Sequence, residues 1–257
     1  MINLDGRAVL VTGAGGAIGS VTARALADAG ASVVAHYLGD AELQTVEAAM
    51  DGIPDEQRVF VDASFDDPVT GTADLWRAAL AWRPRIDAVV LNAATMKWGG
   101  VDDDDETWRE GWDTQLAVNV LAPVELMRLA VRHFRPNGGG ILVTVGSWNA
   151  QRGATNPDQI GYTASKAAVM AAAKTIARGY AGDNILSYIV SPGIVGTWMS
   201  YEFAERQGGA ERVLAQHPLK EFIPPEEVAR LIAFLASGAV RHLNGATLDV
   251  NGGAYIR

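Results

Sequence analysis

Short runs of apolar residues alternate along this chain with longer stretches of helical periodicity. The first run, Ala8–Val11, contains no polar residue, which is typical of a strand buried on both faces of a parallel sheet. Residues 18–29 place apolar side chains at helical spacing, and Gly30 follows as a helix stop. The chain is therefore predicted to open with a strand, a tight turn and a helix.

The same alternation continues to the C-terminal end. We predict further strands at residues 32–36, 59–61, 88–91, 141–145, 185–190 and 247–250, with helices between them that include 41–50 and 71–82. Parallel strands joined by helices imply right-handed crossovers, so the predicted fold class is α/β, with a Rossmann-type doubly wound parallel β-sheet of about seven strands and helices on both faces. No linker or compositional break divides residues 1–257, and a single domain is expected.

Charge and cysteine content limit the chemistry. The formal net charge at pH 7 is −9 and no basic stripe is present, which disfavours nucleic acids and anionic membranes as partners. There is no cysteine, so a redox reaction needs a bound cofactor. No metal site is expected, because the four histidines are scattered without pairs at helical spacing: His36, His133, His217 and His242. Small molecules remain as the expected substrates.

The sequence shows no clear targeting or membrane segment. Met1 to Gly6 lead into the first strand without the basic stretch and long apolar run of a signal peptide. The alanine-rich residues 164–177 include Lys166 and Lys174, which makes them a poor membrane span. We therefore expect a cytoplasmic protein.

A glycine-rich turn, Thr12-Gly13-Ala14-Gly15-Gly16-Ala17-Ile18-Gly19, separates the first strand from the first helix. Glycines permit close approach of a pyrophosphate, and the start of a helix offers free N–H groups and a positive dipole end. Such a turn can also be a mere connection. Its position after a buried strand and before an amphipathic helix favours a dinucleotide phosphate site.

Tyr162 and Lys166 form a Tyr-x-x-x-Lys pattern, which places the phenol and the ammonium on one face of a helix. A phenol has a pKa of about 10, and lowering it by roughly three units takes about 4 kcal/mol of preferential stabilisation of the phenolate. A neighbouring ammonium, together with a positively charged ligand, can supply this. Ser147, at the end of a predicted strand, can hydrogen-bond a carbonyl or alkoxide oxygen.

Each of these elements is common in isolation, but their order resembles the short-chain dehydrogenase/reductase family. The turn is similar to the family's Thr-Gly-x-x-x-Gly-x-Gly, with Ala17 in place of the middle glycine, and Asn92 and Ala93 match the Asn-Asn-Ala-Gly segment in part. The resemblance implies an NAD(P)(H)-dependent oxidoreductase that interconverts a secondary alcohol and a ketone by hydride transfer, with Tyr162 as general acid/base. It implies the catalytic set Asn119, Ser147, Tyr162 and Lys166.

The resemblance also assigns coenzyme contacts. Asp62 matches the acid that contacts the adenine amino group, Lys166 is expected to hold the nicotinamide ribose, and Asn119 to link Lys166 to solvent through water. The backbone near Val195 and the hydroxyl of Thr197 would hold the carboxamide. The full predicted coenzyme set is Gly13, Gly15, Gly16, Ala17, Ile18, Gly19, Tyr37, Asp62, Ala63, Asn92, Ala93, Tyr162, Lys166, Pro192, Gly193, Val195 and Thr197.

The choice between NAD and NADP stays open at this point. In the family an acid that ends the second strand binds the ribose hydroxyls of NAD, and a nearby basic residue binds the extra phosphate of NADP. Here Tyr37 stands at the acid position, and the glycine turn contains no Lys or Arg. Asp40 is a poor neighbour for a phosphate, so the sequence favours NAD.

Three tryptophans fall where the resemblance places substrate walls: Trp98, Trp148 and Trp198, beside Ser147 as the expected contact of the substrate oxygen. Packing or lid anchorage is an equally good reading of each. Residues 198–222 are expected to form a substrate-binding lid. The 15 residues from Ser147 to Tyr162 exceed the family spacing slightly, which places extra residues within 148–160.

Two alternative functions stay open. Members of this family include 3-oxoacyl-carrier-protein reductases, although an acyl carrier protein is acidic and would need a basic landing patch on this acidic chain. A dinucleotide-binding sensor or scaffold without catalysis is the alternative of another class. The apolar faces of the helix that carries Tyr162 indicate a homo-oligomer, a tetramer or a dimer.

Overall fold

The structure is a computed structural model that describes residues 2–257. Met1, which belongs to the predicted domain, lies outside the described residues. The strands are β1 Ala8–Val11, β2 Ser32–Tyr37, β3 Arg58–Asp62, β4 Ala88–Leu91, β5 Gly140–Val145, β6 Ile185–Pro192 and β7 Thr247–Val250. The helices are α1 Ala17–Asp28, α2 Gly39–Ala49, α3 Pro68–Trp82, α4 Asp105–Leu116, α5 Ala122–Phe134, α6 Asn149–Arg152, α7 Ile160–Gly179, α8 Trp198–Arg206, α9 Ala210–Leu214 and α10 Pro225–Ala236.

All seven strands lie in one parallel sheet with the order β3-β2-β1-β4-β5-β6-β7. The order reverses between β1 and β4, which opens a crevice beyond the carboxyl ends of these strands. This arrangement confirms the predicted Rossmann-type doubly wound fold. The glycine turn leaves β1 at this switch point.

Alternate residues of each strand pack into two cores on opposite faces of the sheet. Val9 and Val11 of β1 face a core with α1, α2 and α10, and Leu10 faces a second core with α3, α5 and α7. Burial on both faces explains why β1 and β4 appear in the sequence as uninterrupted apolar runs. The bounds predicted for these two strands are confirmed.

Helix α3 starts three residues earlier than the predicted 71–82. The carboxylate of Asp67 accepts hydrogen bonds from the backbone N–H groups of Val69 (3.1 Å) and Thr70 (3.3 Å), and Pro68 fills the first helical position. Helix α2 also begins earlier than predicted, at Gly39. Periodicity alone missed the start of α3 because the Asp67 cap, and not apolar spacing, sets it.

Helices α4 and α5 form one continuous run, Asp105–Phe134, joined by a π-helical turn at Ala117–Leu121. By length and composition this run could cross a membrane, but 44% of its most apolar window is buried inside the fold. Leu126, Met127 and Phe134 pack in the core beside α3 and α7. Packing in the core therefore explains part of the apolar character of this helix.

Candidate active site

A cavity of about 690 Å³ opens at the carboxyl ends of the strands, a size typical of small-ligand sites. Most of the predicted site residues line it: Gly13, Gly16, Ala17, Ile18, Ala63, Asn92, Ala93, Ser147, Trp148, Tyr162, Lys166, Pro192, Gly193, Val195, Thr197 and Trp198. The six that do not are Gly15, Gly19, Tyr37, Asp62, Trp98 and Asn119.

The glycine turn is tied to the end of β4. The Thr12 hydroxyl accepts hydrogen bonds from the backbone N–H groups of Asn92 and Ala93, each at 3.0 Å. The Asn92 amide donates to the carbonyl oxygens of Thr12 (3.0 Å) and Gly13 (3.1 Å). Asn92 therefore shapes the turn through the backbone and also lines the cavity.

The start of α1 fits a phosphate group. Gly16 caps the helix without a side-chain hydrogen bond, and the first turn has no acidic residue. Gly16, Ala17 and Ile18 line the cavity at this point, so backbone donors that lack helical partners face it. Gly19 serves a different purpose, because a Cβ there would lie 1.9 Å from the carbonyl oxygen of Gly13. Its hydrogen atom lets the helix pack onto the turn.

His36 is part of this site although the sequence analysis did not assign it. The backbone N–H of Gly13 donates to Nδ1 of His36 at 2.9 Å, so the proton sits on Nε2, which donates to the carbonyl oxygen of Ala63 at 2.8 Å. The ring stacks on Phe65 with centroids 4.5 Å apart. His36 thus joins the glycine turn to the end of β3. A polar residue within an otherwise apolar strand was the available signal.

Burial lowers the pKa of His36 from 6.5 to about 4, while the hydrogen bond to Ala63 and the charge of Asp62 act in the opposite direction. The ring is 3% exposed, and its neutral form matches the hydrogen bonds. A protonated Nδ1 would point an N–H at the N–H of Gly13. The turn is therefore held by a neutral histidine.

Two predicted coenzyme side chains, those of Asp62 and Tyr37, are absent from the cavity lining. The carboxylate of Asp62 faces the backbone N–H of Gly39 at 3.4 Å and does not line the cavity, whereas the next residues, Ala63 and Ser64, do. Tyr37 is also absent from the lining, although its neighbours His36 and Leu38 belong to it. Because side chains alternate along a strand, a residue at the end of β2 or β3 can face away from the ligand.

Ser147, Tyr162 and Lys166 come together where α7 passes the end of β5. The ammonium of Lys166 donates to the carbonyl oxygen of Val145 at 2.9 Å, and it lies 5.9 Å from the centre of the Tyr162 ring. Gly146 permits the close approach of the helix, because a Cβ there would lie 2.6 Å from Sδ of Met170. Within the described residues, Lys166 has this one hydrogen-bond partner, so two of its three donors are free for a ligand.

Burial dominates the titration of this group. It raises the pKa of Tyr162 to about 12, while the hydroxyl of Ser147 acts to lower it. Burial also lowers the pKa of Lys166 to about 8. The ammonium of Lys166 alone therefore does not bring the pKa of the phenol down to neutral pH. Without further positive charge the phenol stays protonated.

Asn119 occupies the π-helical turn and is 1% exposed. Its Oδ1 accepts from the backbone N–H of Thr95 (2.8 Å), and its Nδ2 donates to the Thr95 carbonyl oxygen (2.8 Å) and to the Ser165 hydroxyl (3.0 Å). The side chain thus joins the loop after β4 to α7 beside Lys166. Asn119 itself does not line the cavity, and its predicted catalytic role stays a prediction.

The three tryptophans have different surroundings. Trp148 is buried and lines the cavity, with the His217 ring 5.4 Å and the Arg152 guanidinium 4.0 Å from its ring. Trp198 lines the cavity and is 68% exposed.

Trp98 instead stacks on Phe203 and donates to the carboxylate of Glu202 at 2.9 Å, which anchors α8 outside the cavity.

The segment expected to be a lid leaves and rejoins the body at one place. Val195 pairs with Ile223 in a parallel bridge, and the N–H of Gly196 donates to the Ile223 carbonyl oxygen at 3.0 Å. Between these points α8 and α9 supply lining residues, Arg212 among them. The Thr197 hydroxyl accepts from the N–H of Ser200 at 3.3 Å, so it caps α8 at the edge of the cavity.

Comparison with known proteins identifies the family. A family model described as enoyl-(acyl carrier protein) reductase matches residues 13–255. The chain belongs to the short-chain dehydrogenase/reductase family. A 3-oxoacyl-[acyl-carrier-protein] reductase of Thermotoga maritima is 31% identical over 259 residues, which cover 99% of this chain and 100% of the relative. A 2,3-dihydro-2,3-dihydroxybenzoate dehydrogenase of Escherichia coli is 31% identical, with 99% of each chain covered.

A solved structure agrees with these relatives. A Sinorhizobium meliloti protein described as a short-chain alcohol dehydrogenase superposes with a TM-score of 0.87 at 27% identity, over 98% of each chain. The predicted family resemblance is confirmed, and the protein is an oxidoreductase of this family. Family membership implies a nicotinamide dinucleotide coenzyme, which the free donors of α1 and Lys166 fit.

The buried His36 makes stability depend on pH. Its pKa is about 4 in the folded chain and about 6.5 when unfolded, so the unfolded chain takes up the proton first as the pH falls. Between about pH 7.5 and pH 5 we expect His36 to remove about 2 kcal/mol from the free energy of unfolding. Urea unfolding of the wild type and His36→Asn at both pH values measures this. The variant should lack this part of the pH dependence.

The exposed His242 provides the control, and His242→Asn should follow the wild type. Equal losses of stability in the wild type and in His36→Asn would show that His36 is not the titrating group.

Proposed function

We propose that the protein catalyses the reversible oxidation of a secondary alcohol to a ketone, with NAD as coenzyme and Tyr162 as general acid/base. One observation carries this proposal: Tyr162 and Ser147 lie side by side in the cavity into which the free donors of the glycine turn also point. Lys166 lies on the same helix face as Tyr162, with two donors free for ribose hydroxyls.

The residues divide the reaction between them. In the oxidation, the carbinol C–H bond breaks, the hydroxyl proton passes to the Tyr162 oxygen and the C=O bond forms; reduction reverses each change. Ser147 hydrogen-bonds the substrate oxygen throughout. The bound nicotinamide accepts or supplies the hydride, and its oxidised form adds a positive charge.

The protonation state of Tyr162 fits the reduction directly. Because burial raises its pKa to about 12, the phenol carries the proton that the forming alkoxide needs at neutral pH. Oxidation requires the phenolate, which positive charge in the cavity stabilises. We propose that Lys166 and the oxidised ring act together in that direction, since Lys166 alone leaves the pKa high.

We place the adenosine of the coenzyme at the end of the cavity lined by Leu38, Glu42 and residues 63–66, and call it the adenosine end. Its side chains favour NAD. Glu42 of α2 lines it, and its carboxylate accepts from the backbone N–H of Leu38 at 2.9 Å. Asp66 is the other lining carboxylate near this end, and neither a lysine nor an arginine from β2, α2 or the loop after β3 lines the cavity. The family's acid position is occupied by Tyr37 in this chain, and we propose that Glu42 takes over its role. A carboxylate accepts hydrogen bonds from ribose hydroxyls and repels a phosphate.

Substrate contacts are proposed for Ser147, Trp148 and Trp198, under residues 198–222 as the lid. We propose a small-molecule substrate, no nucleic-acid or membrane partner, and a cytoplasmic location for this acidic chain. A second candidate is 3-oxoacyl-carrier-protein reduction, which the name of the Thermotoga maritima relative favours. Comparing rates on a 3-oxoacyl carrier protein and on small ketones separates the two.

An apolar helix surface supports a homo-oligomer. Leu116, Leu121 and Val124 are 36%, 53% and 37% exposed along the run that joins α4 to α5. The exposed alanines of α7, Ala164 and Ala168, lie on the neighbouring helix. We propose that two copies pair through this surface, in a dimer or as half of a tetramer.

The variant Tyr162→Phe removes the proton donor and keeps the ring. We expect turnover of any accepted alcohol to fall by at least about a hundredfold, in line with the usual contribution of general acid–base catalysis. NADH affinity, measured by fluorescence titration, should stay within about threefold because the glycine turn and Lys166 are untouched. Tyr180→Phe, at the far end of α7, is the matched control.

Full turnover in Tyr162→Phe would remove the proton-transfer role. Dinucleotide binding without turnover in the wild type, over a broad panel of alcohols and ketones, would favour the sensor or scaffold alternative.

Coenzyme preference is tested at Glu42. We expect the wild type to bind NADH at least about tenfold more tightly than NADPH, because the carboxylate opposes the extra phosphate. Glu42→Gln should narrow this ratio severalfold in equilibrium titrations. Glu47→Gln, which changes an exposed carboxylate on the same helix, should leave the ratio unchanged. Tighter NADPH binding by the wild type, or a ratio insensitive to Glu42, would contradict the assignment.

The oligomer is tested by sedimentation of Leu121→Lys. A lysine in the proposed apolar interface would be desolvated without a partner, so the variant should sediment as a smaller species than the wild type at equal concentration. Val69→Lys, at a 62% exposed position on α3, is the control and should not change the assembly. A wild-type monomer at working concentration would rule the interface out.

A further inference from the structure

Charge is distributed unevenly along the cavity. The two carboxylates in its lining, Glu42 and Asp66, both belong to the adenosine end. Beyond Ser147 and Tyr162 the lining contains basic side chains and no carboxylate among the described residues: Lys97, Arg152, Arg212 and His217. The chain as a whole has a net charge of −9, so this end of the cavity has the opposite charge to the protein average.

Arg152 is held in place with its donors available. Its guanidinium lies over the ring of Trp148 at 4.0 Å, and Nη2 reaches Oδ1 of Asn149 only at 3.5 Å. Stacking fixes the plane of a guanidinium and leaves its edge free for a bidentate anion. Because α6 follows Ser147 directly, this edge belongs to the wall next to the proposed reacting carbon.

The lid brings a second group of donors to the same wall. The His217 and Trp148 ring centroids are 5.4 Å apart, and burial, followed by the charge of Arg152, lowers the pKa of His217. Arg212 of α9 lines the cavity and packs beside Gly208. Two separate segments of the chain thus contribute basic side chains to the lining, with Arg152 and His217 at Trp148 and Arg212 on α9.

Neither arginine has an acidic partner. Ten arginines form ion pairs with Asp or Glu in residues 2–257, but Arg152 and Arg212 are not among them. Both arginines are exposed, and both line the cavity with no carboxylate paired to them, so their donors are free for an anion.

We propose that the substrate carries an oxyanion, a carboxylate or a phosphate, held by Arg152 and Arg212 while its alcohol or keto carbon lies at Ser147 and Tyr162. The proposal rests on the oxidoreductase function proposed above and narrows its substrate class to small hydroxy or keto acids and their phosphorylated counterparts. Since Arg152 stacks on Trp148, the residue next to Ser147, the anionic group would lie close to the reacting carbon.

Calorimetric titration with three ligands of similar shape tests the proposal: benzoate, the neutral benzamide, and phenyl phosphate. The titrations use protein saturated with NADH, so that the phosphate-binding turn is already filled. We expect benzoate or phenyl phosphate to bind at least about tenfold more tightly than benzamide. The tighter of the two anions identifies carboxylate or phosphate as the natural group.

Matched variants locate the anion. Arg152→Gln and Arg212→Gln should each reduce the preference for the anion at least about fivefold, and Arg152→Lys should restore part of it. Arg178→Gln, which changes an exposed arginine of α7 outside the cavity, should behave as wild type. These readouts need no turnover, so they stay informative if no alcohol is oxidised, an outcome that would count against the proposed function alone.

Equal binding of the three ligands by the wild type, or binding of none, would overturn the proposal. A preference for the anion that persists in the double variant Arg152→Gln/Arg212→Gln would also overturn it, because the anion would then bind elsewhere.

Discussion

A buried hydrogen bond, from the ammonium of Lys166 to the carbonyl oxygen of Val145, sets the geometry on which the site depends. It fixes α7 against the carboxyl end of β5, at the point where Gly146 allows the helix to come close. Tyr162, one turn earlier on α7, is thereby placed beside Ser147. A buried ammonium without a partner would be costly, so this bond also makes the burial of Lys166 tolerable.

The rest of the cavity is organised by charge around that fixed point. Carboxylates stand at one end, uncapped helix donors in the middle and guanidinium groups at the other. This distribution matches the coenzyme and the anionic substrate proposed above, and it favours one orientation of the pair in the cavity. The fold supplies the crevice, and these side chains supply its polarity.

Much of the fold could be predicted because burial leaves a direct trace in sequence. The parallel strands β1 and β4 appear as apolar runs, and the helical spacing of Tyr162 and Lys166 places both on one face whatever the surroundings. The direction in which side chains point at the strand ends could not be predicted from the sequence. Asp62 faces the N–H of Gly39, and His36 faces the glycine turn, because neighbouring strands decide which way each points.

The contacts of Asn119 and Trp98 could not be predicted for a similar reason. Asn119 reaches Thr95 and Ser165 from a π-helical turn that periodicity does not reveal, and Trp98 is committed to Glu202, far away in sequence. The pairing of Val195 with Ile223 has a consequence for diversification. The two ends of the segment between these residues meet at this bridge, so insertions or deletions within it cost little loop-closure entropy and leave the sheet register intact. New specificities can arise by exchanging this segment as a unit, on an unchanged catalytic frame.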